Sequence, residues 1–536
     1  MQQHEQPAAA GADASAAAPH IPPVAEWGKD PFLMSGCEAS AAPLRVAVLV
    51  SGGVDSSLAL QLVAAAGHKP TAFYLQIWFQ EDFRNFWDAC PWEEDLDYAK
   101  KVCDALGVPL VVVPLTDAYW QRVVSHSVAE IKEGRTPNPD MLCNSRVKFG
   151  AFVEYLEREH GGSFDRIASG HYACIQRPQQ LQQQQHSLAP DGVPSDHQAD
   201  TQQLQQQQQQ HSLAPDGVPS DHQADTQQLQ GRLGSHAQAS SSSSSSSSGV
   251  VLRLTPDAVK DQTYFLANLS AGQLARCMFP LGPFTKPQVR ALATAAGLAT
   301  SGRKDSQGIC FLGKVKFGEF VGQHLGQWPG PLVEEDSGQV VGVHKGYWFY
   351  TVGQRGGIKL PGGPWYVTAK DMTHNVVYVS RSYYEQHKRR DAFVCGPFNW
   401  LSELRPDPSQ PLLVKVRHGP NMYSCSLQLG LQEDILAHAE SAIDSKASSD
   451  SAAGADEQAD SSSSSSTGSS GSHKSIEQQH QQQQQQQQGP SFSGEGSYGL
   501  VVLCENDQGL AAGQYAVFYQ QGACLGSAQM LGSVAR

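Results

Sequence analysis

A loop rich in serine and glycine joins a predicted buried strand to a predicted helix near the start of the chain. The run LRVAVLV at 44–50 is continuously apolar and β-branched, which is typical of a parallel strand buried on both faces. SGGVDSS follows at 51–57, and LALQLVAAA at 58–66 then predicts a helix that ends at Gly67. Such a turn gathers backbone N–H groups and a helix N-terminus around one point, so it predicts an anion site.

The pattern beyond the loop predicts the fold class. Further strands at 71–77, 109–113 and 167–171 and a helix at 95–106 predict a doubly wound, Rossmann-like α/β sheet. Helices are also predicted at 261–269 and 286–296. From about Gly330 onward, short strands between glycine turns predict two small β-rich, barrel-like modules. Their predicted strands are 339–343, 348–352, 365–369, 376–380, 412–417, 423–429, 499–504 and 514–519.

Three tracts have a composition that cannot form a core. Residues 1–43 are rich in Ala and Pro, whereas 181–249 and 435–495 are rich in Gln, Ser and Asp. An identical repeat at 186–205 and 211–230 indicates recent low-complexity expansion rather than a solenoid. We therefore expect a disordered leader or extension at 1–43, a nucleotide-binding catalytic domain at 44–178 plus 250–325, a central β module at 326–388 and a C-terminal β module at 389–536.

Charge and cysteine usage restrict the partners and the compartment. The net charge is −14, but segments 1–44, 181–249 and 433–495 carry −4, −5 and −8, which leaves about +3 for the rest and so permits a nucleic-acid ligand. Eleven cysteines without a CxxC pair suit a reducing compartment. No apolar run is long enough to cross a bilayer, so we expect no membrane partner. The leader contains acids and almost no Arg, so an organellar leader and a plain extension both stay open.

The loop at 51–57 contains no lysine, unlike the GxxxxGK[ST] loop that grips a γ-phosphate. It resembles the pyrophosphate loop of N-type ATP pyrophosphatases, which bind the β- and γ-phosphates as a leaving group while a substrate oxygen attacks the α-phosphorus. On this resemblance Asp55 is a candidate Mg²⁺ contact. An ordinary Ser/Gly turn with Asp55 as a cap is the alternative. The predicted nucleotide contacts are Val50, Ser51, Gly52, Gly53, Val54, Asp55, Ser56 and Ser57.

Two cysteines lie in polar segments that are rich in Gly and Pro. Cys143 lies in GRTPNPDMLCNSRVKFGAF at 134–152, and Cys310 lies in SGRKDSQGICFL at 301–312. Neighbouring bases at 146, 148, 303 and 304 favour the thiolate form. A structural cysteine more often lies on an apolar stripe, which is the prediction for Cys103 and Cys504.

Together these motifs resemble those of the tRNA-specific 2-thiouridylases, which put sulfur on C2 of the wobble uridine of tRNA. The resemblance covers essentially all of the foldable sequence. It is carried by SGGVDSS (51–57), TPNPDMLCN (136–144), SGHYA (169–173), KDQTYFL (260–266), FPLGPFTKPQVR (279–290), DSQGICF (305–311) and YTVGQRGG (350–357).

The resemblance implies roles for individual residues. Cys310 matches the family cysteine that carries a persulfide, and Cys143 matches the one that attacks it and closes a transient disulfide. Leu75, where the family usually has Met, and Gly170 match nucleotide contacts. Asp140 is a candidate acid/base. The implied tRNA contacts are Asn138, Pro139, Asp140, Lys260, Asp261, Gln262, Arg417 and His418, although an isolated His such as this last one is more often structural.

The implied enzyme is a tRNA-uridine 2-sulfurtransferase. With ATP and Mg²⁺ it adenylates the C2 oxygen of the base and replaces it with persulfide sulfur, releasing AMP and pyrophosphate. Adenylation is needed because a ring carbonyl oxygen is a poor leaving group, and the base must be extruded from the anticodon loop. The implied partners are the tRNA anticodon stem-loop and a sulfur-carrier or cysteine desulfurase protein. We expect a monomer, located in a chloroplast or mitochondrion or otherwise in the cytoplasm.

Two other functions agree less well with the sequence. An amidotransferase of the same superfamily would need a glutaminase domain or an N-terminal Cys nucleophile, and Cys37 lies in the leader. An RNA-binding scaffold with a decayed site would have lost Cys143, Cys310 or the loop, and none of these is lost. The segment 79–96 with Cys90 suits a lid or packing better than a metal site. Four aromatic residues are expected in the core of the central module rather than on a base-stacking platform: Trp348, Tyr350, Trp365 and Tyr366.

Overall fold

The computed structural model describes residues 21–77, 92–178, 249–304, 317–382, 390–437, 439, 497–507 and 509–534. The chain divides into two units, Met1–Gln176 with Ser248–Arg536, and Arg177–Ser247. The strands and helices named here all belong to the first unit. No helix of the described ranges is long and apolar enough to span a membrane.

The strands are β1 Arg45–Leu49, β2 Lys69–Gln76, β3 Leu110–Pro114, β4 Arg166–Ala168, β5 Cys174–Gln176, β6 Val251–Arg253, β7 Cys277–Met278, β8 Gly330–Glu334, β9 Val340–His344, β10 Tyr366–Asp371, β11 Val376–Ser380, β12 Ala392–Trp400, β13 Leu412–Lys415, β14 Tyr423–Gly430, β15 Tyr498–Leu503, β16 Tyr515–Gln520 and β17 Ala523–Val534.

The α-helices are α1 Val54–Ala65, α2 Trp92–Leu106, α3 Thr116–Tyr119, α4 Ser125–Lys132, α5 Pro139–Cys143, α6 Phe152–His160, α7 Thr263–Leu266, α8 Ala271–Arg276, α9 Lys286–Ala295 and α10 Phe317–Leu325. Two π-helical segments, Trp120–Val124 and Asn144–Ala151, connect α3 to α4 and α5 to α6, and short 3-10 helices lie at Val24–Lys29 and Tyr347–Phe349.

The predicted doubly wound sheet is confirmed. Five parallel strands are arranged in the order β3-β2-β1-β4-β7. The chain runs from β1 outward to β2 and β3, and then returns to place β4 on the other side of β1. The order of strands therefore reverses at β1, and the crevice at the carboxyl end of that strand is where doubly wound sheets bind ligands. The loop at 51–57 begins at this crevice.

The two faces of β1 lie in different halves of the core. Val46 and Val48 pack with α1, whereas Ala47 and Leu49 belong to the cluster that contains Cys143. Because successive side chains of a strand point to opposite faces, one short strand holds the loop helix on one side and the cysteine helix on the other. The sheet thus fixes both elements relative to each other.

Two β modules follow the sheet domain. The first is a four-stranded sheet in the order β10-β11-β8-β9. In the second, β12, β15, β14, β13, β16 and β17 pair in turn and β12 pairs again with β17, which closes a six-stranded barrel. The strands β5 and β6 extend β17, so they add to the barrel although their sequence precedes the central module.

Some predicted elements are wrong. A strand was expected at 348–352, but a 3-10 turn at Tyr347–Phe349 occupies the start of that segment. The turn buries Trp348 against the core, where Trp365 and Tyr366 are also buried and Tyr350 packs partly. The expectation that these aromatics are core residues is therefore confirmed, while the aromatic and β-branched run WFYTV at 348–352 was misread as a strand.

The expectation that residues 1–43 are entirely disordered is also wrong for the part that the structure describes. Trp27 is 0 % exposed and packs with Leu33 and Cys37 in the same cluster as α1. The carboxylate of Glu38 makes a bidentate ion pair with Arg166 at 2.6 and 2.7 Å. A few large apolar anchors are enough to dock a segment whose average composition is Ala- and Pro-rich.

The start of the second insertion needs a similar correction. It was expected at 435, but residues 432–437 are helical and Ile435 is 1 % exposed. Ile435 packs with Val394 and Val534 of the barrel. The acidic composition of the following tract led us to place the start of the insertion too early, so that it included the buried residue Ile435.

Candidate active site

The loop at 51–57 is closed by its own hydroxyl groups. The backbone N–H of Ser51 donates to Oγ of Ser56 at 3.0 Å, and Oγ of Ser57 donates to the Gly53 carbonyl at 2.9 Å. Gly53 caps the N-terminus of α1, and no side chain caps it. The loop therefore presents the positive end of a twelve-residue helix beside the hydroxyl of exposed Ser51.

Gly52 occupies a position that only glycine fits. Its φ is +71°, and an added Cβ would lie 2.1 Å from the carbonyl oxygen of Asp95 in α2. Arg303 reaches the same place, donating to the Gly52 carbonyl at 2.7 Å and pairing with the Asp95 carboxylate at 2.8 Å. Burial raises the pKa of Asp95, and the ion pair with Arg303 opposes this. The loop, α2 and the segment before 305 thus meet at one glycine.

A cleft of about 530 Å³ opens beside this contact, which is within the size range of small-ligand sites. At the wall of the cleft, the guanidinium of Arg303 lies 4.3 Å from the centre of the Tyr98 ring. Its lining residues are Glu94, Tyr98, Ala299, Gly302, Arg303 and Lys304.

Gly170 and Leu75 lie at the same edge of the sheet. An added Cβ on Gly170 would lie 2.7 Å from the backbone nitrogen of Ser56, so only glycine lets the end of β4 approach the first turn of α1. Leu75 lies two residues beyond Phe73, the last partner of β1, and packs partly against the core. Their positions agree with the predicted nucleotide contacts, which stay predictions.

The carboxylate of Asp55 is held by two residues that the sequence reasoning had not placed there. Nζ of Lys286 lies 2.7 and 2.8 Å from its two oxygens, and the hydroxyl of Tyr172 donates to Oδ1 at 2.9 Å. Lys286 belongs to FPLGPFTKPQVR and Tyr172 to SGHYA, two motifs already singled out. The motifs were visible in the sequence, but their convergence on Asp55 was not.

Cys143 lies within a helical run that begins with a proline-stabilised turn. Oδ1 of Asn138 accepts from the Met141 N–H at 3.2 Å, and Pro139 is at the first helical positions. Cys143 is 1 % exposed and belongs to the hydrophobic core. Cys143 is therefore buried, although the segment that carries it is polar in sequence. Conversely, Cys504 was expected to be buried and is exposed.

The segment just before Cys143 is held by the C-terminal barrel. Nε2 of Gln514 donates to the carbonyls of Thr136 and Pro137 at 2.9 and 3.1 Å, and Nδ2 of Asn138 donates to its Oε1 at 3.4 Å. The Thr136 N–H donates to the Ala512 carbonyl at 2.7 Å. One barrel side chain thus contacts three consecutive residues, the last of which, Asn138, is a predicted tRNA contact.

Replacing Gln514 by leucine should leave those two carbonyls without a donor. An unsatisfied buried acceptor costs about 1–3 kcal/mol, so we expect the rate of the tRNA thiolation that the sequence resemblance implies to fall by roughly 10-fold to 100-fold. ATP affinity should change little, because Gln514 contacts no residue of the loop at 51–57. Equilibrium dialysis with ATP and single-turnover nucleoside analysis measure the two quantities.

Gln520 provides a matched control for this variant. It also makes three amide hydrogen bonds, to the Asp407 and Gln410 carbonyls and from the Asp407 N–H, but all of them lie within the barrel. Gln520→Leu should lower the thermal midpoint and leave the thiolation rate unchanged. An equal loss of rate in both variants would show that barrel stability, and not the contact with the 136–138 segment, controls activity.

The central module contacts the residues just before that segment. The ammonium of Lys370 donates to the carbonyl of Gly134, at the end of α4, and to that of Tyr350 at 3.0 Å. The hydroxyl of Tyr347 donates to the Lys132 carbonyl. Both β modules therefore position the residues that lead into α5. Desolvation lowers the pKa of Lys370 from 10.5 to about 8.

This lowered pKa predicts a stability that depends on pH. Between pH 8 and 10.5 the unfolded chain binds more protons at Lys370 than the folded chain does, so this group's contribution to stability rises with pH. The slope should approach about 1.4 kcal/mol per pH unit inside that window. Relative to Lys370→Met, the wild-type thermal midpoint should therefore rise from pH 8 to pH 10. A constant difference between the two proteins would contradict the assignment.

The segment 260–262, which is a predicted tRNA contact, is partly buried, and Asp261 at its centre is buried. Asp261 is 3 % exposed, and its carboxylate accepts from the N–H groups of Thr255 and Thr263 at 2.9 and 3.2 Å. Gln262 exchanges two hydrogen bonds of 2.9 Å with the backbone of Tyr172. The geometry therefore corrects the prediction for the Asp261 side chain, because its carboxylate faces inward; Lys260 and the backbone are left as candidates.

The two predicted contacts in the barrel differ in their availability. Arg417 is half exposed but donates to both carboxylate oxygens of buried Asp507, one of them at 2.8 Å. His418 is exposed, and its ring stacks on Phe265 with a centroid distance of 4.5 Å. A phosphate would have to share the Arg417 guanidinium with Asp507, so His418 is the more accessible of the two.

Cys310 lies outside the described residues, in the segment 305–316. Cys90 lies outside them as well, in the segment 78–91. The persulfide role of Cys310 and its transient disulfide with Cys143 stay predictions. Among the described residues, no group of three or more His, Cys, Asp or Glu side chains is arranged to hold a metal ion.

Comparison with known protein families matches three models in chain order. Residues 44–223 and 203–314 match the tRNA methyl transferase HUP domain, 318–381 the tRNA methyl transferase PRC-barrel domain, and 463–530 the aminomethyltransferase beta-barrel domain. The overlap of the two HUP matches falls in the repeated tract, as expected for an insertion into one domain. Both cysteines singled out above lie within the HUP match.

The chain also matches individual bacterial proteins over most of their length. The tRNA-specific 2-thiouridylase MnmA of Porphyromonas gingivalis is 36 % identical over 384 residues, which are 70 % of this chain and 86 % of the relative. That of Parabacteroides distasonis is 35 % identical over 383 residues with the same coverage. A solved U34-tRNA thiolase NcsA from Methanococcus maripaludis, at 14 % identity over 56 % of this chain and 68 % of that one, has a TM-score of 0.24, too low to carry an argument. On the sequence matches, the chain belongs to the family of the tRNA-specific 2-thiouridylases.

Proposed function

We propose that this protein is an ATP-dependent tRNA 2-thiouridylase. The observation that carries the proposal is a phosphate-type loop without a lysine of its own, placed at the switch point of a parallel sheet whose opposite face packs against the helix of Cys143. The loop supplies a site for ATP, and the cysteine supplies sulfur chemistry in the same domain. The family relationship supports the wobble uridine of tRNA as the substrate.

The first reaction is adenylation of the base. The C2 oxygen of uridine attacks the α-phosphorus of ATP, the bond to the β-phosphate breaks, and pyrophosphate leaves from the loop at 51–57. The backbone N–H groups and the α1 N-terminus there stabilise the charge of the departing phosphates. The oxygen is thereby converted from a poor leaving group into AMP.

The second reaction exchanges oxygen for sulfur. A persulfide on Cys310 delivers its terminal sulfur to C2, and AMP leaves with the former C2 oxygen. Cys143 attacks the inner sulfur, so the transferred sulfur atom is reduced to the sulfide level while the two cysteines are oxidised to a disulfide. A dithiol reductant must then restore both thiols before the next persulfide is loaded.

Mg²⁺ is proposed to accompany ATP, and one carboxylate of the loop suits it. Asp55 offers one carboxylate at the first turn of α1, which is enough for an ion that is carried mainly by phosphate oxygens and water. The ion would offset phosphate charge during adenylation. The residues of this chain bind the nucleotide, orient the base and hold the attacking thiol.

Three further points are proposals about partners and location. A sulfur-carrier or cysteine desulfurase protein would load Cys310, the enzyme would act as a monomer, and the N-terminal residues would direct it to a chloroplast or mitochondrion. Because residues 21–43 pack on the sheet domain, a targeting role would fall on residues 1–20. Imaging of fluorophore fusions that carry residues 1–20 or 1–43 tests the location.

The function is tested with the purified full-length chain. Incubation with ATP, Mg²⁺, a persulfide donor and transcribed tRNA should yield 2-thiouridine and AMP in equal amounts, as measured by mass spectrometry of nucleoside digests and by nucleotide chromatography. ADP as the nucleotide product, or a thiolated base other than uridine, would overturn the proposal.

A further inference from the structure

The ion pair between Lys286 and Asp55 lies at the mouth of the nucleotide loop. The ammonium contacts both oxygens of the carboxylate, at 2.7 and 2.8 Å, across 231 positions of sequence. The side chains are 12 % and 33 % exposed, so the pair is open to solvent on the Asp55 side.

The surroundings of the pair fix its geometry. The hydroxyl of Tyr172 donates to Oδ1 of Asp55 at 2.9 Å, and the Lys286 ammonium lies 5.7 Å from the centre of the Tyr172 ring. Lys286 is the first residue of α9, whose start is set by a capping box between Thr285 and Gln288. The lysine is thus anchored at its backbone and held at its tip by a carboxylate.

The electrostatics favour an anion at this point. Asp55 occupies the first turn of α1, so the positive end of that helix lies beside the ammonium. The start of α9 is capped separately by the carboxylate of Asp257, which accepts from the Lys286 N–H at 2.9 Å. In the absence of a ligand, the carboxylate of Asp55 neutralises the charge of the ammonium. The loop itself has no lysine, whereas other phosphate loops place one on the β- and γ-phosphates.

We propose that Lys286 is the phosphate-binding lysine of this ATP site and that Asp55 holds it in place until nucleotide arrives. With Mg²⁺-bound ATP in the site, Asp55 would take the divalent cation as its partner in place of the ammonium, and Lys286 would direct its charge to a β- or γ-phosphate oxygen. No covalent bond changes in this exchange of partners. The inference rests on the proposed use of ATP and adds a residue to it.

The test compares ligands that carry and lack the outer phosphates. Calorimetric titration of the full chain with ATP, pyrophosphate and AMP, each with Mg²⁺, should show that Lys286→Met weakens ATP and pyrophosphate binding by roughly 10-fold to 100-fold and AMP binding by less than about 3-fold. Lys286→Arg, which keeps the charge, should stay within a few-fold of the wild type for ATP. Equal losses for ATP and AMP, or no loss at all, would overturn the inference.

A second variant tests the holding role of Asp55. In EDTA, Asp55→Asn should bind pyrophosphate several-fold more tightly than the wild type, because the ammonium is no longer neutralised. The double variant Asp55→Asn/Lys286→Met should lose that gain, since the two residues are coupled. Absence of the gain would overturn the exchange. If the wild-type chain binds no ATP under any of these conditions, the proposed function fails first and the inference fails with it.

Discussion

Cys143→Ser should lower the formation of 2-thiouridine by at least about 10³-fold when a persulfide donor supplies the sulfur. A serine hydroxyl cannot attack a persulfide sulfur at neutral pH, so the transferred sulfur is not released. The loop at 51–57 is untouched, and ATP–pyrophosphate exchange in the presence of tRNA should therefore continue. Mass spectrometry of nucleoside digests and radiolabelled exchange measure the two steps separately.

Cys103 provides the matched control for this substitution. It is also 1 % exposed, but it packs in the cluster of α1 on the other face of the sheet, and burial raises its pKa to about 11. Cys103→Ala should change stability without changing the thiolation rate. Cys310→Ser should show the same loss as Cys143→Ser with the persulfide donor. Undiminished thiolation in both of those variants would contradict the two-cysteine reaction.

Gly52→Ala is expected to have the largest effect among glycine substitutions in the loop. Its added Cβ would lie 2.1 Å from the Asp95 carbonyl oxygen, and its φ of +71° is strained for alanine. We expect a loss of about 3 kcal/mol or more in stability, or a shift of the loop that lowers ATP affinity at least about 10-fold. Thermal unfolding and ATP titration distinguish these outcomes.

A control substitution at Gly67 distinguishes the effect of the clash with Asp95 from the effect of the positive φ. It has a similar φ of +79°, but an added Cβ would meet nothing within 4 Å. Gly67→Ala should therefore cost only the strain of the left-handed conformation, about 1–2 kcal/mol, and leave ATP affinity unchanged. Similar behaviour of the two variants would show that the contact with Asp95 does not constrain the loop.

The parallel sheet could be predicted because its signals are local. A buried apolar run followed by a glycine turn predicts β1 and α1 from adjacent residues. The strand at 376–380 was likewise predicted with the bounds that the structure has. Residues 21–43 were missed for the opposite reason: their order depends on a few anchors, such as Trp27, that fit a surface formed by α1. Composition averaged over a segment cannot show such a fit.

In the candidate site, too, local features could be predicted from the sequence and long-range contacts could not. The loop and Cys143 could be found from motifs, whereas the contacts that organise them join distant parts of the chain. Lys286 lies 231 positions from Asp55, Arg303 lies 251 from Gly52, and Gln514 lies 378 from Thr136. A motif indicates that such a residue matters, but only the folded chain brings it to its partner. The inward orientation of Asp261 was hidden for the same reason.

The pairing of β5 with β6 explains how this chain tolerates its duplicated tract. Gln176 lies opposite Val251 in an antiparallel register, so the chain leaves the sheet and returns to it at neighbouring positions. Two strands in that arrangement can be joined by as few as two residues. The entropic cost of a longer connection grows only with the logarithm of its length. Duplication of a stretch between these two strands therefore changes the length of the gene product and leaves the geometry of the catalytic domain alone.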